Sequence, residues 1–303
     1  MSTRATGVAL ALVTATISGF AVFLNGYAVK RFDDATVYTT AKNGVAGLLL
    51  VLLAIPVLRA APRRGPAGRP RSAAHWLALV AVAAVGGSLA FVLFFEGLAR
   101  ASSTQAAFIH KTLVVWVALL AVPLLRERLS WAHWAAIGLL IAGQLVLAGD
   151  AGTVSVGAGE AMILAATLLW AVEVVFVKRM LEELAAPTLA AARLGLGTLL
   201  LLGFVALSGR FGELAALGSE QWAWALLTGV VLAGYVATWY AALARAQAVD
   251  VTAVLVLGAV VTALLDRGIE GAPLDVLGVG LIALGGAIAA LLGLLQRRRP
   301  LPA

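Results

Sequence analysis

Ten apolar runs follow one another along the chain, separated by short polar breaks. They fall at Gly7–Val29, Thr36–Leu58, His75–Leu98, Thr104–Leu125, Trp131–Ala148, Gly159–Met180, Pro187–Leu207, Gln221–Ala244, Val249–Leu265 and Pro273–Leu295. About 20 apolar residues in helical form cross a bilayer. An unpaired backbone group in hydrocarbon costs several kcal/mol, and the alternating pattern of a membrane barrel is absent, so each run is predicted to be a helix. Glycines such as Gly138 with Gly143, and Gly278 with Gly285, suit close helix packing.

The runs repeat. Leu98-Ala99-Arg100-Ala101 recurs as Leu243-Ala244-Arg245-Ala246, and Ala118-Leu119-Leu120 recurs at the same offset as Ala263-Leu264-Leu265. Lys30-Arg31 answers Lys178-Arg179, His75-Trp76 answers Gln221-Trp222, and Gly44 with Leu48–Leu50 answers Gly195 with Leu199–Leu201. The division is therefore a first five-helix repeat over 1–148, a connecting loop over 149–158, a second repeat over 159–295 and a basic cytoplasmic tail over 296–303. Five is odd, so the second half enters the membrane from the opposite side. The expected fold is all-α and membrane-embedded, with ten transmembrane helices in two inverted five-helix repeats. Such pairs can expose a central site to each side in turn.

Composition agrees with a lipid solvent: the chain is 62% hydrophobic and only 12% charged, about half the charge of a water-soluble domain. The net charge of +7 comes from residues between the apolar runs, not from one face, so it reads as membrane orientation and not as nucleic-acid binding. With the N-terminus in the cytoplasm, that side holds Arg4, Arg59, Arg63, Arg64, Arg69, Arg71, Arg126, Arg128, Lys178, Arg179, Arg245 and Arg297–Arg299. That is fourteen basic residues; the other side holds five, Lys30, Arg31, Arg100, Arg210 and Arg267. Both termini are thus expected in the cytoplasm. The first run is too long for a signal-peptide core and is read as a retained helix. There is no cysteine, no phosphate-binding glycine loop, no second histidine at ligand spacing and no serine–histidine–acid set. No cofactor, metal site or enzymatic activity is expected, and ATP is not the direct energy source.

Ionisable side chains within a membrane are costly, and the few here are candidates for function. They are Glu173 in helix six, His110 and Lys111 in helix four, Lys42 beside Asn43 in helix two, and Arg193 in helix seven. Asn25, in helix one, holds the repeat position that answers Glu173. A pair such as Glu173 with Lys111 would lower the cost of both charges. Trp116 and Trp170 lie deep enough to wall a pocket for an apolar side chain, and Tyr38 is a further aromatic candidate. Trp239 and Tyr240 read as belt or packing residues, and Asp250 as a cap of helix nine.

Ten helices in two repeats resemble the drug/metabolite transporter superfamily, and specifically its EamA-like family. Leu124-Leu125-Arg126-Glu127-Arg128-Leu129-Ser130 resembles that family's Gly-Glu-Arg-Leu turn, with arginine in place of glycine. Trp170 followed by Lys178-Arg179 resembles the start of the second repeat, and Arg193 matches a basic residue early in its next helix. The second copy, Leu265-Asp266-Arg267-Gly268-Ile269-Glu270, departs from the turn. The resemblance implies a multi-pass carrier of a bacterial inner (plasma) membrane that moves small metabolites, often outward and including amino acids. It implies a central site, and the deep polar and aromatic residues Asn25, Tyr38, His110, Lys111, Trp116, Trp170, Glu173 and Arg193 are the candidates to line it. The small multidrug transporters resemble half of this chain and bind protons and cations at one glutamate of their first helix. By that analogy Glu173 is the proton-coupling residue, and a carboxylate in low dielectric suits proton exchange. The expected partners are a small substrate, the bilayer and protons. Rival readings are a proton-coupled cation or drug exporter, a channel, a structural membrane subunit, and a carrier or flippase of a phosphate-bearing or nucleoside-like substrate with Lys42, Lys111 and Arg193 as counter-charges.

Overall fold

Among the described residues the chain is helical, and ten helices are long and apolar enough to cross a membrane. The structure, a computed structural model, describes residues 3–60, 69–101, 103–149 and 157–295. The ten helices are α1 (Thr3–Arg31), α2 (Ala35–Ala60), α3 (Ala73–Leu98), α4 (Gln105–Leu125), α5 (Trp131–Ala148), α6 (Ala158–Met180), α7 (Ala186–Leu207), α8 (Ser219–Leu243), α9 (Ala248–Glu270) and α10 (Val276–Leu295). Most of the expected connecting loop and all of the expected tail lie outside the described residues, as do residues 61–68 of the arginine-rich loop between α2 and α3. Leu77, Leu199 and Val276 stand exposed, whereas Thr14, Lys42, Glu173 and Arg193 are buried. Apolar outside and polar inside is the arrangement lipid requires.

The packing scheme is unchanged when the halves are exchanged. Helix α1 packs on α8 and α9, and its counterpart α6 packs on α3 and α4. Helix α2 meets α7, α4 meets α9 and α5 meets α10, each against its own counterpart. Inverted repeats related by an axis in the membrane plane produce this scheme. The twice-occurring Leu-Ala-Arg-Ala now has a physical reason. A Cβ on Gly159, at the start of α6, would lie 2.9 Å from Ala101 N. One on Gly7, near the start of α1, would lie 3.0 Å from Ala246 N. Each copy of the motif receives the glycine-bearing start of the first helix of the other half. Of the glycines expected to pack helices, Gly143 lies against the backbone of Gly278, and Gly285 against that of Ala136, but Gly138 has open space.

Helices α4 and α9 are each interrupted, at Thr112 and at Val256–Leu257. The offset that carries Ala118–Leu120 onto Ala263–Leu265 carries Thr112 onto Leu257, so the breaks are equivalent. In α4, Thr112 Oγ1 donates to Ile109 O at 2.6 Å and accepts from Trp116 Nε1 at 3.0 Å. A hydroxyl bonding back to its own helix is a recognised cause of bending.

The turn after α4 ends on Arg126 at φ 55°, in the left-handed region that glycine adopts freely and arginine only at a cost. Glu127 then accepts from Ala248 N at 2.6 Å and Val249 N at 3.2 Å, so a first-repeat carboxylate caps α9 of the second repeat. Burial pushes this carboxyl up, against the pull of those two N–H groups and of Lys178. The cap expected of Asp250 is therefore supplied by Glu127. Asp250 lies inside the first turn, buried, with Oδ1 3.4 Å from His133 Nε2. Arg126→Gly is expected to raise stability by about 1 kcal/mol by relieving the left-handed penalty. Thermal unfolding in detergent measures this, and an unchanged or lower Tm would contradict it.

Candidate functional site

Two groups of polar side chains in the bundle interior answer each other, one on each repeat. In the second repeat, Glu173 of α6 is 2% exposed; Arg193 Nη2 of α7 lies 3.5 Å from its Oε2, and Tyr240 OH of α8 donates to its Oε1. Arg193 Nε also donates to Gly86 O of α3 at 3.3 Å, and the same carbonyl accepts from Trp170 Nε1 at 3.1 Å. Gly86 lies in a π-helical turn, Ala83–Leu89, and Arg193 in another, Ala192–Leu196. Such turns break the regular hydrogen-bond ladder and recur at functional sites. A Cβ on Gly86 would come within 2.6 Å of Glu173 Cγ, so the glycine leaves room for the carboxylate.

In the first repeat, Asn25 Oδ1 of α1 accepts from Tyr38 OH and, at 3.2 Å, from Lys42 Nζ, both of α2. Asn25 Nδ2 donates to Ala21 O at 2.5 Å, which fixes the oxygen toward the group. Lys42 Nζ lies 4.8 Å from the Tyr38 ring centre and 4.7 Å from that of Phe95 in α3, within cation–π reach. Rings join the two groups. Tyr38 meets Phe95 at 6.3 Å, Phe95 meets Phe91 at 6.4 Å, Phe91 meets Trp170 at 5.4 Å, and Trp170 meets His110 at 5.0 Å.

Six of the eight residues singled out from the sequence thus share one connected interior: Asn25, Tyr38, His110, Trp170, Glu173 and Arg193. Lys111 is half-buried and has no ion pair among the described residues. The partner of Glu173 is Arg193. Trp116 spends its indole N–H within its own helix, on Thr112. Tyr240 and Trp239 are not belt residues: they are 0% and 2% exposed, and Tyr240 binds Glu173. The repeat held the missed signal. The offset that carries Leu98–Ala101 onto Leu243–Ala246 carries Phe95 onto Tyr240, and the offset that carries Gly44 onto Gly195 carries Lys42 onto Arg193.

Both ends of the bundle are tied by polar contacts. At one, Arg210 in the α7–α8 connection lies 2.7 Å from Glu96 and 3.2 Å from Asp34, and Glu96 also accepts from Arg100 and Thr36. The Glu96 hydrogen bond holds the Arg210 guanidinium still more firmly protonated than usual. At the other, Lys178 Nζ donates to Leu243 O at 2.5 Å and Ala246 O at 2.6 Å, beside the Glu127 cap.

The EamA-like transporter family model matches residues 5–149 and again 157–295, once for each half. One solved structure, described only as the crystal structure of a protein, superposes with a TM-score of 0.76 at 19% identity. It covers 95% of this chain and 99% of its own. At that identity the likeness is one of fold. No curated protein matches. With the family matched over both halves and the ten apolar helices packed as exchangeable repeats, the chain belongs to the EamA-like transporter family, membrane transporters of the drug/metabolite kind.

Proposed function

We propose that the protein is a secondary carrier that exports a small amino-acid-like metabolite by alternating access, from a bacterial inner membrane with both termini in the cytoplasm. One observation carries the reading: a carboxylate and a guanidinium, Glu173 and Arg193, buried together, with the guanidinium over the rings of Phe91 and Tyr240. A zwitterion needs both signs in an apolar site, and binding energy there is available only to a solute that replaces the water it leaves. Asn25, Tyr38, His110, Trp170, Glu173 and Arg193 are the proposed substrate contacts, with Lys111 and Trp116 on the approach along α4. Glu173 is the proposed proton carrier, competing for substrate and proton at one carboxylate.

Purified protein in liposomes, loaded with labelled amino acids, nucleosides or organic cations, tests this. Amino-acid efflux that rises with an imposed pH gradient is the expected result. Cation flux alone would replace the reading with that of a proton-coupled drug exporter, and efflux indifferent to the gradient would leave a facilitated carrier. Orientation is tested separately. Reporter fusions after Ala74 and after Gly152 should read inside and outside, and the same side for both would sink the topology.

A further inference from the structure

The two polar groups are copies, and they differ in one chemical respect. Position by position, Asn25 answers Glu173, Lys42 answers Arg193 and Phe95 answers Tyr240. In each group a first-helix acceptor faces a second-helix cation, and that cation lies over an aromatic ring of the third helix: Arg193 over Tyr240 at 5.9 Å, Lys42 over Phe95 at 4.7 Å. In the second repeat the acceptor is a carboxylate and the cation is neutralised. In the first repeat it is an amide, which carries no charge.

Lys42 is left without a counter-ion. It is 3% exposed, and among the described residues no carboxylate lies within ion-pair distance of it. Its ammonium has three N–H donors, and among the described residues Asn25 Oδ1 is the one hydrogen-bond acceptor it reaches, at 3.2 Å. That oxygen is shared with Tyr38 OH. Ring faces offset part of the desolvation of a buried ammonium, but a carboxylate offsets far more. The repeat thus displays what is missing, because the second copy builds the carboxylate in.

We propose that Lys42, with Asn25 and Tyr38, forms an anion subsite that receives the carboxylate of the substrate. The substrate supplies in the first repeat the group that Glu173 supplies in the second. Asn25 orients the ammonium, Tyr38 OH is a second donor once released from Asn25, and Phe95 and Phe91 continue the wall toward Trp170. This rests on the carrier reading above and deepens it: the cargo carries a carboxylate, and the site for that group lies on the first repeat.

The experiment measures binding and stability on the full-length protein in nanodiscs. The probes are two matched pairs, leucine with leucinamide and isocaproate with isocaproamide. The wild type is expected to prefer each carboxylate over its amide by about tenfold or more, the effect of one buried charge-assisted hydrogen bond. Lys42→Met is expected to abolish that preference and at the same time to raise the Tm of the ligand-free protein, because it removes an unneutralised buried charge. Asn25→Asp is expected to abolish it too, by installing an internal carboxylate. Equal binding of isocaproate and isocaproamide by the wild type would overturn the subsite. So would Lys42→Met with a lowered Tm and an intact preference, since the lysine would then be structural. Preference for isocaproate without binding of leucine would keep the subsite and remove the amino-acid reading, so the two failures are distinct.

Discussion

Replacing Glu173 and Arg193 together by glutamine is expected to give a protein that folds and does not transport. Glutamine at 173 alone fills the space of the carboxylate, which on size grounds would leave folding intact. Arg193 Nη2 at 3.5 Å changes that expectation. Breaking a buried pair from one side costs about 3–5 kcal/mol because the surviving charge is left uncompensated, whereas removing both charges is often near neutral. Glu173→Gln should therefore lose both gradient-driven flux and thermal stability. The double variant should recover the stability and still show no gradient-driven flux. Flux and Tm on the same three proteins decide it. Recovery of transport in the double variant would make the pair a structural tie between α6 and α7, and would end the role proposed for Glu173.

Gly87→Ala is expected to be the most destructive single methyl in the molecule. A Cβ there would lie 1.8 Å from the carbonyl oxygen of Arg193, with Gly197 Cα 3.2 Å away. Backbone cannot rotate aside as a side chain can, so the cost lies beyond the roughly 1–3 kcal/mol of ordinary overpacking. Moving α3 away from α7 would also draw Gly86 O off Arg193 and Trp170, so the site should fail with the packing. The control is Gly138→Ala, where a Cβ meets nothing within 4 Å. It should gain about 0.5–1 kcal/mol from helix propensity. Membrane yield and thermal unfolding of the two variants compare them directly; equal behaviour would show that α3 and α7 separate more readily than the contact distance implies.

Much of the architecture was legible in one dimension. Apolar length sets the helices, odd parity sets the inversion, and a recurring tetrapeptide and tripeptide at one offset set the register of the halves. Glu127 and Arg126 were recognisable as a family turn, but not as a cap reaching from one repeat to the other. That contact joins residues 121 positions apart, and no local pattern records it. The buried ionisable residues were equally legible as a set, since a charge in an apolar run stands out whatever it touches.

The sequence by itself therefore determined the number of helices, their pairing into inverted halves, and which side chains carry the cost of a buried charge. Only the tertiary structure decided which of those side chains meet: Glu173 with Arg193 and Tyr240, Asn25 with Lys42 and Tyr38, Trp116 with its own helix. The reason is rotational. Successive residues on a helix point about 100° apart, so partnership depends on how each helix is turned about its axis. A helix that is apolar nearly all round carries little periodic signal of that turn. The turn is settled instead by backbone approaches such as Gly87 on Arg193 and Gly159 on Ala101, which exist only once the helices have packed.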